Sequence, residues 1–239
     1  MIVLITGASG GIGGRLAHEF AGAGYDVALH YHRGKSAAES LRNDLTQRGA
    51  RAEVFEADLS DPQQAQALPD RVVEKWGRLD GLINNAGTAR DRSLLKMSVE
   101  EWRAVLDVNL SGAFWCLQSA ARHMARQKSG FIINVGSVLA LKGAVGCANY
   151  VASKAGLLAL TKSAALELGR FDIRVNAILP GFHPTPIAQS IPSEQVERVK
   201  AQHVLNRTTD LGDLAKLVLM VAENRSVSGQ VFNVDSRLI

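Results

Sequence analysis

The sequence predicts one doubly wound α/β domain, a mostly parallel seven-stranded sheet with helices on both faces. Three observations predict it. Short β-rich apolar runs alternate with stretches of helical spacing seven times along the chain. The connections are short, and no linker, repeat or low-complexity tract interrupts them. Of the 239 residues, 46% are apolar and only 5% aromatic, which suits a buried sheet covered by helices. The domain is read as residues 1–239.

The elements follow in order. IVLIT (2–6) is a β-rich run, and GGRLAHEFAGAG after it has helical spacing and a stop at Gly24. DVALHY (26–31) is the next strand, and 35–49 is a helix with a polar face that ends at Gly49. RAEVFEADL (51–59) is the third strand. Asp61-Pro62 then caps and starts a helix to about Trp76, because proline suits a first helical turn. LDGLINNAG (79–87) is a strand running into a glycine turn. Ser98 starts a helix that is expected to run with little interruption through 101–127. GFIINVGS (130–137) is a strand, 148–170 a long Ala/Leu-rich helix, and IRVNAILPG (173–181) a strand ended by Pro180-Gly181. A variable segment with three prolines (182–207), a helix at 210–223 and a short strand at 229–235 complete the chain.

The formal charge of +4 is mild and weakly favours acidic small molecules or an acidic partner. With no block of like charges and no basic stripe with aromatics, nucleic acid is not expected as a partner. Cys116 and Cys147 form neither a CxxC pair nor a zinc-like spacing, so two free thiols in a reducing compartment are expected. The first strand begins at residue 2 and no apolar run approaches membrane-spanning length. A soluble cytoplasmic protein without a signal peptide or membrane segment is the expectation.

In a sheet of this kind ligands sit beyond the carboxyl ends of the strands. TGASGGIG (6–13) lies there, between strand one and helix one. Its main-chain N–H groups and the helix N-terminus make an anion site. It is not a Walker loop, since no Gly-Lys-Ser/Thr follows, and the spacing Gly7, Gly11, Gly13 is not GxGxxG. Asp58, near the end of strand three, could accept from an adenine amino group or start the next helix. Asn84 to Gly87 end strand four, as a plain turn or as a turn facing a cofactor. Tyr150 and Lys154 lie four apart, on one helix face. An ammonium beside a phenol favours phenolate and would lower the Tyr150 pKa from about 10 toward neutrality. Such a tyrosine could exchange a proton at cytoplasmic pH. Ser137, at the end of the preceding strand, could hydrogen-bond a carbonyl oxygen beside it.

Together these residues resemble the classical short-chain dehydrogenases/reductases. The matches are TGASGGIG, Asp58-Leu59, NNAG, Asn109, Ser137, YVASK (150–154) and PGFHPT (180–185), in the family's order from end to end. The resemblance is closest to the 3-oxoacyl-[acyl-carrier-protein] reductase branch, through NYVASKAGLLALTKSAALEL, IRVNAILPGF, Asn206-Arg207 and SGQVFNVD. It implies a Rossmann-type fold and a nicotinamide cofactor. It implies a catalytic set of Tyr150 as general acid, Lys154 beside the ribose, Ser137 on the carbonyl and Asn109 in a proton relay. It places Gly7, Ser9, Gly10, Gly11, Ile12 and Gly13 on the pyrophosphate side. Asp58, Leu59, Asn85, Ala86 and Gly87 fall on the adenosine side, and Pro180, Gly181 and Thr185 at the nicotinamide. Segment 182–207 becomes the substrate-binding segment.

The expected reaction is NADPH-dependent reduction of a ketone to a secondary alcohol, foremost the 3-oxo group of an acyl thioester on acyl carrier protein or coenzyme A, in fatty-acid or polyketide-like synthesis. A reductase of another small ketone (a sugar, a cyclic ketone, a secondary metabolite) and a non-catalytic dinucleotide-binding sensor are the alternatives. A homotetramer, or a homodimer, is expected from the resemblance and from the broad Ala/Leu faces of 110–127 and 148–170.

NADPH over NADH is argued from charge. NAD binders place a carboxylate near the end of strand two. Here HYHRGK (30–35) has no acid and carries Arg33 and Lys35, with His32 and Ser9 as possible helpers. Gly10 stands where many NADPH-dependent members carry a basic residue, and Ser236-Arg237 stand where the family usually has Gly-Gly. That second departure questions the usual C-terminal packing. His30 and His32 lie on one side of a strand with no third ligand, so no metal is expected and both are read as cofactor-rim or surface residues. Cys147 is read as a small packed side chain. Arg122, Arg126, Lys128 and Arg170 are read as a solvated face or as a basic rim for an acidic carrier protein.

Overall fold

A computed structural model describes residues 1–183 and 193–237. The seven strands are β1 (Ile2–Ile5), β2 (Asp26–Tyr31), β3 (Ala52–Glu56), β4 (Gly81–Asn84), β5 (Gly130–Val135), β6 (Ile173–Leu179) and β7 (Val231–Asn233). They lie in the order β3-β2-β1-β4-β5-β6-β7, and all six neighbouring pairs are parallel. The chain works outward from β1 to β3, then crosses back to place β4 against the other side of β1. The switch point therefore lies between β1 and β4, where ligands of such sheets bind.

Alternation along each strand sends side chains to two separate cores. From β1, Ile2 and Leu4 face one layer while Val3 and Ile5 face the other. The first layer is closed by α3 (Pro62–Trp76), α5 (Ala113–Gln127) and α7 (Ala148–Leu168), through Leu68, Val72, Leu117, Met124 and Ala164. The second is closed by α1 (Gly11–Gly22), α2 (Lys35–Gln47) and α9 (Leu211–Glu223), through Leu16, Phe20, Leu45, Leu214 and Val218. Phe20 is fully buried, edge-on to Tyr25 at 5.0 Å and stacked on Phe131 at 6.1 Å. Burying one such ring is worth about 1.5–3 kcal/mol.

Helix starts follow their caps. Asp61 accepts from the N–H of Gln63 and Gln64, with Pro62 at the first turn of α3. Ser98 and Glu101 form a capping box at α4 (Val99–Leu106), and Asp210 caps α9. By contrast α1 starts at Gly10-Gly11 with no side-chain cap and no acid in its first turn.

Three features depart from the sequence expectation. The continuous helix through 101–127 is broken by a π-helical stretch at Asp107–Gly112 between α4 and α5. The widened turn lets Asn109 point inward, where it is 1% exposed. A one-turn helix α6 (Leu139–Lys142) follows Ser137, and a helix α8 (Ser193–Ala201) lies within the variable segment. Among the described residues no helix is long and apolar enough to cross a membrane.

Candidate active site

The glycine loop is fixed from below by β4. Thr6 Oγ1 accepts the N–H of both Asn85 and Ala86, each at 3.0 Å, and Asn85 Nδ2 donates to the carbonyls of Thr6 and Gly7. Gly13 admits no side chain: a Cβ there would stand 2.4 Å from the Gly7 carbonyl oxygen. The N–H groups of Gly7, Ala8 and Gly10 are committed to His30 Nδ1, the His30 carbonyl and the Gly7 carbonyl. Those of Ser9, Gly11, Ile12 and Gly13 have no acceptor among the described residues. This uncapped, acid-free helix start therefore offers a cluster of free donors with the positive end of the helix dipole behind them. The donor set fits the pyrophosphate of a dinucleotide.

The ends of β2 and β3 flank this loop. Ser9 lies against Gly34, where a Cβ would meet its Oγ at 2.8 Å. His32 and Arg33 are exposed. His32 Nε2 lies 3.7 Å from the Asp58 carboxylate. Partial burial pulls the Asp58 pKa up, but hydrogen bonds from the Ser60 hydroxyl and N–H outweigh it, with His32 and Arg33 adding to them, so the group sits below the ordinary range. Leu59 turns its side chain into the core, leaving only its main chain for a ligand.

The structure corrects the reading of His30. It is 2% exposed, not on a rim, and burial holds its pKa down at about 4. His32 lies just past the end of β2, at Tyr31. The loops leaving β1 and β3 cover position 30 and leave position 32 open.

The four residues expected to act together lie at the carboxyl ends of β4 and β5. Lys154 is 3% exposed, and its Nζ donates to the Val135 carbonyl at 2.7 Å. Burial lowers its pKa to about 8. Gly87 sits between Lys154 and Asn109: a Cβ there would be 3.7 Å from Lys154 Nζ and 3.4 Å from Asn109 Oδ1. Asn109 Oδ1 accepts the Thr88 N–H at 2.8 Å, and Nδ2 donates to the Thr88 carbonyl and to Ser153 Oγ. Ser153 in turn donates to the Tyr150 carbonyl at 2.7 Å. Ser137 Oγ accepts the Leu139 N–H at 3.2 Å, and its hydroxyl acts to lower the Tyr150 pKa.

One expectation about this group does not hold. Burial raises the Tyr150 pKa, Ser137 opposes that rise, and Cys147 and Asp91 add to it. The Lys154 ammonium lies 5.9 Å from the ring centroid and is spent on Val135. In this geometry the pull on the phenol comes from Ser137 rather than from Lys154. Cys147 is half-buried, and burial pushes its thiol up to about 11, which makes it a poor nucleophile.

Gly181 closes β6 at φ +82°, and a Cβ there would stand 2.3 Å from Thr209 Oγ1. Thr185 lies outside the described residues. The departure at Ser236-Arg237 builds its own packing. Arg237 is 7% exposed and forks onto the Asp235 carboxylate. Ser236 Oγ bonds His203 Nδ1 at 2.9 Å, and its carbonyl accepts the Val204 N–H. The C-terminal strand is thus tied to the chain that follows α8.

Lys128 precedes β5 and Arg170 precedes β6, so both stand at the amino end of the sheet. Ser137 and Pro180 stand at the carboxyl end, about 20 Å away at roughly 3.3 Å per strand residue. Within one chain the basic residues and the catalytic group are not neighbours.

The sequence reading gave no role to Thr6, Asn149 and Ser153. Asn149 is fully buried and donates to the carbonyls of Arg90 and Glu101, fastening the loop after β4 and α4 to the start of α7. An asparagine directly before Tyr150 was the available signal.

Residues 1–196 match the family described as short chain dehydrogenase. The chain belongs to the short-chain dehydrogenase family. It is an oxidoreductase of that family with a Rossmann-type fold. A 3-oxoacyl-[acyl-carrier-protein] reductase FabG of Staphylococcus aureus is 40% identical over 97% of this chain and 95% of its own length. Reductases of the same description from Thermotoga maritima and Synechocystis are 37% and 34% identical over the whole chain and 97% and 96% of theirs. Among solved structures, a putative short-chain alcohol dehydrogenase from Sinorhizobium meliloti superposes with a TM-score of 0.94 at 30% identity, over 98% of this chain and 94% of that one.

Proposed function

We propose that this short-chain dehydrogenase is an NADPH-dependent ketoreductase whose substrate is the 3-oxo group of an acyl thioester on acyl carrier protein or coenzyme A. The meeting of Asn109, Ser137, Tyr150 and Lys154 beside an uncapped helix N-terminus carries the reading. The substrate class is supported by the printed activity of relatives 34–40% identical over nearly their whole length. Fatty-acid or polyketide-like synthesis is the setting such a substrate implies.

When bound, the reduced dinucleotide supplies a hydride to the carbonyl carbon. The free N–H groups of Ser9, Gly11, Ile12 and Gly13 would hold its pyrophosphate. Asp58 and the turn Asn85, Ala86, Gly87 would border its adenosine half, and Pro180, Gly181 and Thr185 its nicotinamide. Ser137 Oγ donates to the substrate carbonyl oxygen and holds it at the phenol. Tyr150 Oη releases its proton to that oxygen as the C–O double bond becomes single. Lys154, whose Nζ faces Gly87, would bond the nicotinamide ribose. Asn109, which fixes Thr88 and Ser153, keeps open a path by which the proton is replaced. Preference for NADPH is supported by the exposed His32 and Arg33, the nearby Ser9, and the absence of an acid from 30–35.

An assembly of identical chains, a homotetramer, is part of this proposal. Leu166 on α7 is 86% exposed, an apolar side chain that a second copy would cover. For a carrier-bound substrate, Lys128 and Arg170 would serve docking across such an assembly, toward the site of a neighbouring copy, since within one chain they stand at the far end of the sheet. Reversing both charges should reduce turnover of the carrier-bound form more than that of a small thioester; an equal loss removes docking from the proposal. The reading as a whole is tested by NADPH consumption across a 3-oxoacyl thioester, a cyclic ketone, a quinone and a sugar ketone. The thioester should be reduced with the highest kcat/KM, and a faster alternative ketone would displace it.

A further inference from the structure

We infer that His30 is a positioning residue for the cofactor, a neutral clamp that sets the phosphate seat and the adenine seat as one unit. The inference rests on reading the glycine loop as a dinucleotide seat. The imidazole spans three strand ends. Its Nδ1 accepts the Gly7 N–H at 3.0 Å, at the exit of β1. Its Nε2 lies 3.0 Å from the carbonyl of Ala57, at the exit of β3. Its own carbonyl accepts the Ala8 N–H at 2.9 Å.

Only one form of the ring satisfies both contacts. A lone pair is needed at Nδ1 to meet the Gly7 N–H, and a proton is needed at Nε2 to meet the Ala57 carbonyl. Imidazolium would set two donors against each other at Gly7. Burial opposes that form most, and His32 just past β2 and Arg71 on α3 add to it, while the Ala57 carbonyl and Asp58 favour it. The neutral ring prevails.

The two contacts fall where cofactor geometry is decided. Gly7 has φ +64°, the left-handed turn from which the chain swings into α1. Holding its N–H toward β2 determines which way the following N–H groups of Ser9, Gly11, Ile12 and Gly13 face. Ala57 immediately precedes Asp58, so the same ring sets the carboxylate on the adenine side. Any buried imidazole needs partners for its two nitrogens, and here both partners belong to the loops that border the cofactor seat.

Three variants separate these roles. His30→Phe keeps a ring and loses both hydrogen bonds. His30→Asn can keep an acceptor near Nδ1, and His30→Gln can keep a donor near Nε2. NADP+ dissociation constants are measured by titration, together with kcat and the KM for NADPH and for the ketone. His30→Phe should raise the cofactor Kd and KM about tenfold, the loss expected for one buried hydrogen bond. The kcat at saturating cofactor and the ketone KM should hardly move, and His30→Asn should recover most of the affinity. An unchanged cofactor Kd, or a loss confined to kcat, overturns the inference. Should His30→Phe fail to fold, the other pair decides: Asn must bind NADP+ several-fold tighter than Gln, since the Gly7 bond orients the donors, and equal affinities overturn it. A wild-type protein that bound neither NADP+ nor NAD+ would instead refute the dinucleotide seat itself, and the clamp with it.

Discussion

Lys154 Nζ donates to the Val135 carbonyl at 2.7 Å, from a side chain only 3% exposed. An ammonium is thus held inside the protein with one hydrogen bond among the described residues, and burial brings its pKa to about 8. Below about pH 8 both folded and unfolded chains carry the proton, and the desolvation cost is present in full. Between about 8 and the ordinary 10.5 the unfolded chain binds more protons, so stability should rise with pH across that window. Lys154→Met should therefore stabilise the fold at pH 7, by on the order of 2 kcal/mol, and remove turnover. Calorimetry from pH 7 to 10 checks this. A variant less stable than wild type at pH 7 would show that the ammonium is a net support of the fold.

His30 carries a second pH signature. The unfolded chain takes up its proton below about 6.5, whereas the folded ring resists down to about 4. Stability is full above pH 6.5 and falls as pH drops through that interval, by up to about 3 kcal/mol at the acid end. Urea unfolding at pH 7, 5.5 and 4.5 should show a steeper loss for wild type than for His30→Asn. Parallel curves would place the acid sensitivity elsewhere.

Asp235 and Arg237 form a buried charge pair. Arg237→Gly would leave the Asp235 carboxylate buried without its guanidinium, held by the main-chain N–H of residue 237 at 2.9 Å and by His203 at 3.5 Å. The expected cost is about 3–5 kcal/mol, the range for breaking a buried pair by removing one partner. His203 has its pKa lowered, first by burial, with Arg237 contributing and Asp235 opposing. Without Arg237 it should accept a proton more readily, so mild acid should partly rescue the variant. Thermal unfolding at pH 7.5 and 6 measures both effects, and a change within about 0.5 kcal/mol, the size of an ordinary surface substitution, would contradict them.

Arg33→Asp tests the cofactor choice. A charge-assisted bond to a phosphate is worth about 1.5–3 kcal/mol, so the ratio of kcat/KM for NADPH over NADH should fall about 10- to 100-fold. An unchanged ratio would move the selection to His32 or Ser9.

What the sequence made legible was local. The succession of strands and helices along the chain, the glycine loop, the helix starts at Asp61 and Ser98, and the Tyr150–Lys154 spacing are each written within a few residues. The rest depends on partners distant in the chain. His30 was misread because period-2 alternation gives its face but not the cover supplied by the exits of β1 and β3. The π-helical stretch at Asp107–Gly112 was missed because its cause is Asn109 reaching Thr88, 21 residues away, and Ser153, 44 away. The direction of the Tyr150 shift was misjudged for the same reason. Spacing puts Lys154 on its face, but the Val135 carbonyl claims the ammonium. Ser236-Arg237 looked like a loss of packing, and the contact with His203 that restores it is 33 residues upstream.

The measurement that bears most directly on the site is NADPH oxidation by wild type and Tyr150→Phe with a 3-oxoacyl thioester, alongside NADP+ binding by both. Removing the phenolic hydroxyl should lower kcat by at least about 10²-fold, the typical contribution of a positioned general acid, and leave the cofactor Kd nearly unchanged. Turnover by Tyr150→Phe within a fewfold of wild type would contradict the account.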